Sequence, residues 1–224
     1  MLIRNLHSFK VSYEEAARIQ RELAGQISLS PFLSGYRYVG GADVSYSKKE
    51  NTLFAAVVVQ EYPSGRQVFW RAEKGTATFP YIPGLLSFRE VPLLLRVFED
   101  IPVTPDVILC DGQGLAHPRG FGLACHIGLL LDVPSIGCAK SRLVGEYEEP
   151  GEARGCSSPL TYKDSVVGAV VRTRDKVKPV FVSPGHRVDV ETAVRVVLET
   201  CRGYRLPEPT RIAHLLSQKA KRGM

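Results

Sequence analysis

The segment 79–122 carries side chains whose types and spacing suit chemistry on a phosphate ester. It contains an aromatic loop between two prolines, Pro80–Pro83, followed by Glu90 on a stretch with helical periodicity and by Asp111 after an apolar run. An earlier apolar run contains a further acid, Asp43. A stiff aromatic loop close to several carboxylates predicts a protein that grips distorted nucleic acid and holds a metal ion against a phosphate.

The three acids are candidate ligands for a divalent metal ion. A carboxylate inside an apolar strand is costly unless it is paired, hydrogen-bonded or metal-bound, which applies to Asp43. Asp111 stands where a strand ends, the place where active sites gather in open α/β sheets. Oxygen ligands suit Mg²⁺, or Mn²⁺ in its place, rather than zinc. The alternatives are a polar strand position for Asp43, a turn for Asp111 and an exposed helix face for Glu90.

Lys140 and His214 are candidate partners of such a site. Lys140 follows the apolar run 136–139, so we expect it at a strand end, where it would orient a water or contact a phosphate. His214 lies off the apolar stripe of the last predicted helix, where it would relay protons or polarise a water. A solvated lysine and a polar-face histidine without function are the alternatives.

The loop 80–83 and the glycines around Asp111 are candidate contacts to bases. Proline restricts its own backbone and that of the residue before it, so a stiff loop would present Tyr81 as a wedge between bases. The alternative is a rigid connection whose Tyr81 packs inward. Glycines let a flat base or a phosphate approach the backbone, and four of them cluster here: Gly112, Gly114, Gly120 and Gly122.

The segment 183–186 is a candidate phosphate site. It precedes an apolar helix, so the amides of Ser183 and Gly185 would face a phosphate at that helix's N-terminus. An ordinary capped loop explains the same residues.

Hydrophobic periodicity predicts the elements that position these residues. Ser12 and Glu15 form a capping box before the first helix, and a hairpin turn at 63–65 joins two strands. The predicted strands are 38–46, 53–62, 67–73, 107–111, 133–139, 166–172 and 180–182. Strand 107–111, helix 122–131 and strand 133–139 read as a crossover between parallel strands. The chain therefore predicts a mixed sheet with helices on its faces.

Three further helices are predicted. The stretch 84–99 contains Pro92, where we expect a kink or a restart. Asp189 caps a helix with a strong apolar stripe. The segment 207–210 opens the last helix, whose apolar side would be Ile212, Leu215 and Leu216.

Composition limits the class of protein. The 224 residues fit one α/β domain, and a formal charge of +6 favours a polyanionic partner. The five cysteines form no C-x-x-C pair, which predicts reduced thiols in a cytoplasmic protein. No apolar run is long enough to span a bilayer.

Six segments in one order closely resemble endonuclease V, the family that nicks nucleic acid containing deaminated bases, especially inosine. These segments are 41–45, 79–90, 111–119, 136–143, 182–186 and 209–214. The resemblance runs nearly end to end. It implies a ribonuclease H-like fold, a mixed central β-sheet flanked by α-helices, in a single domain over 1–224.

The resemblance also implies roles for the candidate residues. Asp43 and Asp111 would hold Mg²⁺, with Glu90 completing the acidic site directly or through water, while Lys140 and His214 assist the attacking water and the phosphate. The strand-separating wedge would be Pro80, Tyr81, Ile82 and Pro83. The pocket for the flipped hypoxanthine would be Gly84, Leu86, Gly112, Gly114, Gly122 and Leu143.

The expected reaction is DNA repair by hydrolysis of the second phosphodiester bond 3′ to deoxyinosine, leaving 3′-hydroxyl and 5′-phosphate ends. The expected protein is a monomer with no membrane partner. Two alternatives remain at this point: an inosine-specific ribonuclease of the same fold, and a catalytically silent module that binds the lesion. The full set of acids argues against the silent module.

Overall fold

The computed structural model describes residues 1–30, 35–47 and 51–223. Within these ranges, eight strands form one sheet: β1 (Tyr38–Ser47), β2 (Thr52–Glu61), β3 (Arg66–Thr76), β4 (Val107–Cys110), β5 (Ser135–Ala139), β6 (Ser157–Tyr162), β7 (Ser165–Val171) and β8 (Val180–His186). Their order across the sheet is β3-β2-β1-β4-β5-β8-β7-β6.

The sheet is mixed, as predicted. Strands β1, β2 and β3 pair antiparallel, whereas β4 runs parallel to both β1 and β5. Strands β8, β7 and β6 then continue antiparallel. The sequence did not reveal β6, because it is an edge strand in which only Leu160 is buried and Pro159 interrupts the pattern.

Five helices flank the sheet within the described ranges: α1 (Tyr13–Ala24), α2 (Leu86–Glu99), α3 (Leu123–Leu131), α4 (Val190–Thr200) and α5 (Glu208–Lys221). The predicted caps of α1 and α4 are confirmed, since Ser12 Oγ accepts from the Glu15 amide at 3.2 Å and Asp189 Oδ1 from the Thr192 amide at 2.7 Å. The expected restart at Pro92 is wrong, because α2 runs through it. None of the helices in these ranges combines the length and apolar character of a membrane span.

Two hydrophobic layers hold the helices to the sheet. On one face, α2 and α3 pack over apolar side chains of β2 and β4 such as Val57 and Ile108. On the other, α4 packs over β4, β5 and β8. Both faces of the central strands are therefore buried, which explains their continuous apolar runs.

Helix α5 packs differently from the prediction. Its buried residues are Pro209, Thr210, Ala213 and Ser217, whereas Leu215 is 53% exposed. The expected apolar side of Ile212, Leu215 and Leu216 is thus wrong. The cause is a close approach to β1: a Cβ added to Gly41 would lie 2.2 Å from the Pro209 carbonyl oxygen. Because the backbone of α5 lies directly over β1, only small side chains fit between the helix and the strand.

Candidate active site

Asp43 and Asp111 lie side by side because their strands are parallel neighbours. The register pairs Ala42 of β1 with Cys110 of β4, and the Asp111 amide donates to the Ala42 carbonyl at 3.1 Å. The next residue of each strand is therefore the aspartate. Asp43 is 6% exposed and faces α5, while Asp111 follows the last residue of β4.

His214 of α5 completes a compact group with the two aspartates. One ligand atom from each of the three residues lies within 4.8 Å of the others. His214 Nδ1 is 3.3 Å from Asp43 Oδ2. Two carboxylates at this spacing suit Mg²⁺ or Mn²⁺, which take one or two carboxylates and fill their remaining positions with water and phosphate oxygens. The residues present therefore fit a divalent ion.

A chain of hydrogen bonds from hydroxyl and amide groups of α5 and β1 fixes the Asp43 carboxylate. Ser217 Oγ donates to Asp43 Oδ2, Ser45 Oγ lies 2.7 Å from Ser217 Oγ, and Gln218 Nε2 donates to Ser45 Oγ at 2.8 Å. Ser217 was not predicted from the sequence. It lies three residues after His214, and Gln218 lies four residues after it, so all three share one helical face; this spacing is the signal that would have found Ser217.

Lys140 lies at a strand end beside Asp111, as expected. It follows β5, and the parallel pairing of β4 with β5 brings the two strand ends to the same edge of the sheet. Lys140 Nζ forms an ion pair with Asp111 Oδ2, and the lysine side chain is 41% exposed. A cation that is both anchored and exposed is available to a ligand.

Glu90 lies close enough to Asp43 and Asp111 to be influenced by their charges. It is not part of the group of ligand atoms within 4.8 Å of one another, which comes from Asp43, Asp111 and His214. It is partly buried on α2. Burial raises the pKa of Glu90 well above its ordinary value, and the charges of Asp43 and Asp111 raise it further. Burial likewise raises the pKa of Asp43, against the opposing hydrogen bond from Ser217. These carboxylates are held where negative charge is unfavourable until a cation compensates it.

We expect Glu90→Gln to stabilise the folded protein when no metal is present, and to lower its nicking activity in Mg²⁺. A carboxyl whose pKa is raised on folding binds its proton more tightly in the folded state, so its contribution to stability falls as pH rises above the ordinary value. The variant should therefore gain about 1 kcal/mol at pH 8 and little at pH 5. Thermal unfolding at both pH values in EDTA measures this. Glu99→Gln, exposed at the end of the same helix, should change neither, and an unchanged or lower Tm for Glu90→Gln at pH 8 would contradict the prediction.

The loop 80–83 projects from the surface and is anchored at both ends. Tyr81 is 62% exposed, so the alternative in which it packs inward is wrong. Before the loop, Arg89 Nη1 donates to the Phe79 carbonyl at 2.7 Å. After it, Arg119 Nη2 donates to the Gly84 carbonyl at 2.5 Å, and His117 Nε2 lies 3.0 Å from the same oxygen. The three cationic or imidazole anchors were not predicted from the sequence.

A cavity of about 390 Å³ opens between this loop and the strand ends. Its lining includes Asp111 and Lys140 together with five of the six expected pocket residues: Gly84, Leu86, Gly112, Gly122 and Leu143. Gly114 does not line it. A Cβ added to Gly114 would lie 2.0 Å from the Pro184 carbonyl oxygen, so this glycine is packed against β8 behind the cavity.

The expected phosphate site at Ser183 and Gly185 needs correction. The segment 183–186 is the buried end of β8, whereas α4 begins only at Val190. Ser183 has no exposed surface, and its hydroxyl accepts from the Gly114 amide at 2.7 Å. Gly185 packs against Ser135 Oγ, which would lie 2.3 Å from an added Cβ. In this arrangement both residues are buried, and neither is accessible to a phosphate.

Comparisons with known proteins agree with this architecture. A family model described as Endonuclease V matches residues 21–215. Endonuclease V of Methanothrix thermoacetophila is 50% identical over 222 residues, covering 99% of this chain and 98% of that protein. A crystal structure of Endonuclease V from Streptomyces avermitilis has a TM-score of 0.92 and 41% identity, covering 100% of this chain and 99% of that one.

Two similar structures contain inosine-containing DNA. Endonuclease V of Ciona intestinalis, in complex with a 23mer DNA containing an inosine followed by a ribo-adenosine, matches with a TM-score of 0.84 and 32% identity. The match covers 95% of this chain and 99% of that one.

Proposed function

This chain belongs to the endonuclease V family and is a nuclease of ribonuclease H-like fold, and from this premise we propose that it repairs DNA containing deoxyinosine. The proposed reaction hydrolyses the second phosphodiester bond 3′ to the deaminated base and leaves 3′-hydroxyl and 5′-phosphate ends. The observation that carries the proposal is a cavity lined by both Asp111 and the exposed Tyr81, with Asp43 and His214 grouped beside Asp111.

Asp43 and Asp111 are the residues proposed to hold Mg²⁺, with Mn²⁺ as a substitute. Such an ion supplies charge neutralisation at the phosphate and a lowered pKa for a bound water. Ser217 keeps the Asp43 carboxylate in place through its hydrogen bond. Glu90 is proposed to act through water, since it lies outside the compact group of ligand atoms.

Lys140 and His214 are proposed to handle the phosphate and the attacking water. The Lys140 ammonium is held at the strand end by Asp111 and remains partly exposed, so it can contact a phosphate oxygen. His214 Nδ1 lies against Asp43, which fixes the orientation of the ring, and its side chain is 38% exposed. An oriented, accessible imidazole can take a proton from water.

Tyr81 is proposed to enter the duplex at the lesion, with Pro80, Ile82 and Pro83 holding its backbone. The base that leaves the stack would occupy the cavity, whose glycines at 84, 112 and 122 let backbone groups approach its edge. The cavity volume of about 390 Å³ lies within the usual range for a small-molecule site, which leaves room for a purine.

DNA is the proposed substrate class because the Ciona relative was solved with inosine-containing DNA. The ribo-adenosine in that complex keeps inosine-containing RNA as the second candidate. We further propose a single domain over 1–224, supported by the one sheet that the described strands form. A monomer is proposed from the family resemblance alone. A cytoplasmic location is consistent with five free cysteines, four of them buried.

A nicking assay tests the function directly. Matched DNA and RNA oligonucleotides, each with one central inosine, would be incubated with and without Mg²⁺. We expect cleavage of DNA one nucleotide beyond the inosine, only with the metal present. Faster cleavage of RNA would favour the ribonuclease. Tight binding of inosine without cleavage would favour the silent lesion-binding module, and neither binding nor cleavage would overturn the proposal.

A further inference from the structure

An exposed aromatic ring lies in the loop that leads into the helix of His214, and it is not among the residues that line the cavity. Tyr204, in the loop between α4 and α5, is 51% exposed. The Arg211 guanidinium lies over its ring, with Cζ 4.2 Å from the ring centroid. Arg211 is itself held by Glu208, which accepts from its Nε at 2.8 Å and from its Nη2 at 2.7 Å. One face of the ring is therefore covered and braced.

The position of this ring is set by the active site's own elements. Arg211 lies on α5 three residues before His214, and side chains at that spacing are neighbours on a helix, about 5–6 Å apart. Arg205, next to the tyrosine, donates from Nη2 to the Lys140 carbonyl at 2.7 Å and to the Pro179 carbonyl at 2.8 Å. Thr173 Oγ1 also donates to the Arg205 carbonyl at 2.6 Å. The Tyr204 loop is thus tied to both His214's helix and Lys140's strand end.

We propose that Tyr204 is a stacking platform for a base of the cleaved strand next to the scissile phosphodiester. The inference rests on the proposed function and adds to it a contact outside the lesion pocket. The carboxylate of Glu208 balances the charge of Arg211, so the guanidinium behind the ring adds no net positive charge. What this surface offers to a ligand is the flat apolar face of the Tyr204 ring. A flat aromatic face suits a base, whereas a phosphate would need the uncompensated cation. Such stacking tolerates any base and therefore adds affinity without sequence preference.

Steady-state nicking of inosine-containing DNA tests the platform. We expect Tyr204→Ala to raise KM about 10-fold and to leave kcat within about threefold, because stacking on one base contributes roughly 5- to 100-fold in affinity. Tyr204→Phe keeps the aromatic face and should behave as wild type. Trp70→Ala is the matched control, since Trp70 is 52% exposed on the edge strand β3. Equal Tm values would show that all variants are folded.

A second arm identifies the base. A series of substrates would each carry one abasic site, placed at successive positions 3′ to the inosine. At one position, removing the base should lower the kcat/KM of wild type about as much as the Tyr204→Ala substitution lowers it on the intact substrate. At that position Tyr204→Ala should lose nothing more. A KM for Tyr204→Ala within twofold of the Trp70→Ala value, or abasic profiles of the same shape in both proteins, would overturn the platform alone. A wild-type protein that does not nick would overturn the proposed function, and the platform with it.

Discussion

Replacing either paired aspartate by asparagine, Asp43→Asn or Asp111→Asn, is expected to lower nicking more than about a thousandfold while DNA binding survives. The amide keeps the size of the side chain but removes the charge that a divalent ion requires, and metal stabilisation of a phosphoryl transition state contributes several kcal/mol. Tyr81 is unchanged in both variants, and Asp111, which lines the cavity, is replaced by a side chain of the same size. Single-turnover rates in Mg²⁺, together with a Kd for inosine-containing DNA, separate the two effects.

Asp164→Asn is the control for this pair of variants. Asp164 lies in the exposed turn between β6 and β7 with a positive φ of 59°, a conformation that asparagine also tolerates. Its activity should equal that of wild type. Nicking within tenfold of wild type by Asp43→Asn or Asp111→Asn would remove the metal site from the proposed function. Loss of binding and of thermal stability together would instead point to a structural role.

Tyr81→Ala is expected to lower kcat/KM on double-stranded inosine-containing DNA by about 10- to 100-fold. The exposed ring is the group proposed to replace lost base stacking, and an aromatic–base stack contributes about 1–3 kcal/mol. Tyr81→Phe should retain most of the activity, because stacking needs the ring rather than the hydroxyl. Initial rates on the duplex for the three proteins give the comparison.

Strand separation makes a sharper demand on the same variant. If Tyr81 opens the duplex, its loss should matter less on a single-stranded substrate with the same inosine, where nothing has to be unstacked from a partner strand. A loss of equal size on both substrates would mean that Tyr81 contacts the base without separating strands. Trp70→Ala, which removes an exposed aromatic ring from the far edge of the sheet, should affect neither substrate.

The centre of the sheet was predictable because its signals are local. Apolar runs ending in Asp111 and before Lys140, with a helix between them, imply parallel strands whose ends meet at one edge. The observed parallel pairing of β4 with β5 confirms that expectation. The parallel pairing of β4 with β1, which brings Asp43 beside Asp111, was not predicted. The motif resemblance added the roles of these residues, which periodicity alone did not supply.

The errors arose where distant parts of the chain pack together. The apolar side of α5 could not be read from the helix, because Gly41 admits only small residues between α5 and β1. Ser183 and Gly185 looked like a loop because Pro and Gly usually end strands, yet β8 continues through them as a buried strand beside β5. Gly114 was expected to line the pocket, but it packs against Pro184, which is 70 residues away in sequence and could not be recognised as its neighbour.

The two-ended anchoring of the loop 80–83 has a consequence for how damage would be found. Arg89 holds the chain before Tyr81, and Arg119 with His117 holds it after, so the conformational entropy of the loop is lost when the protein folds. Binding energy then need not order the loop at each encounter. Because the loop is already ordered, Tyr81 can press against each successive base step while the protein slides along DNA. The rate of searching then depends on how readily the bases of each step unstack. Weakly paired steps, such as those containing a deaminated base, would then be selected by their own dynamics before any contact in the cavity reads them.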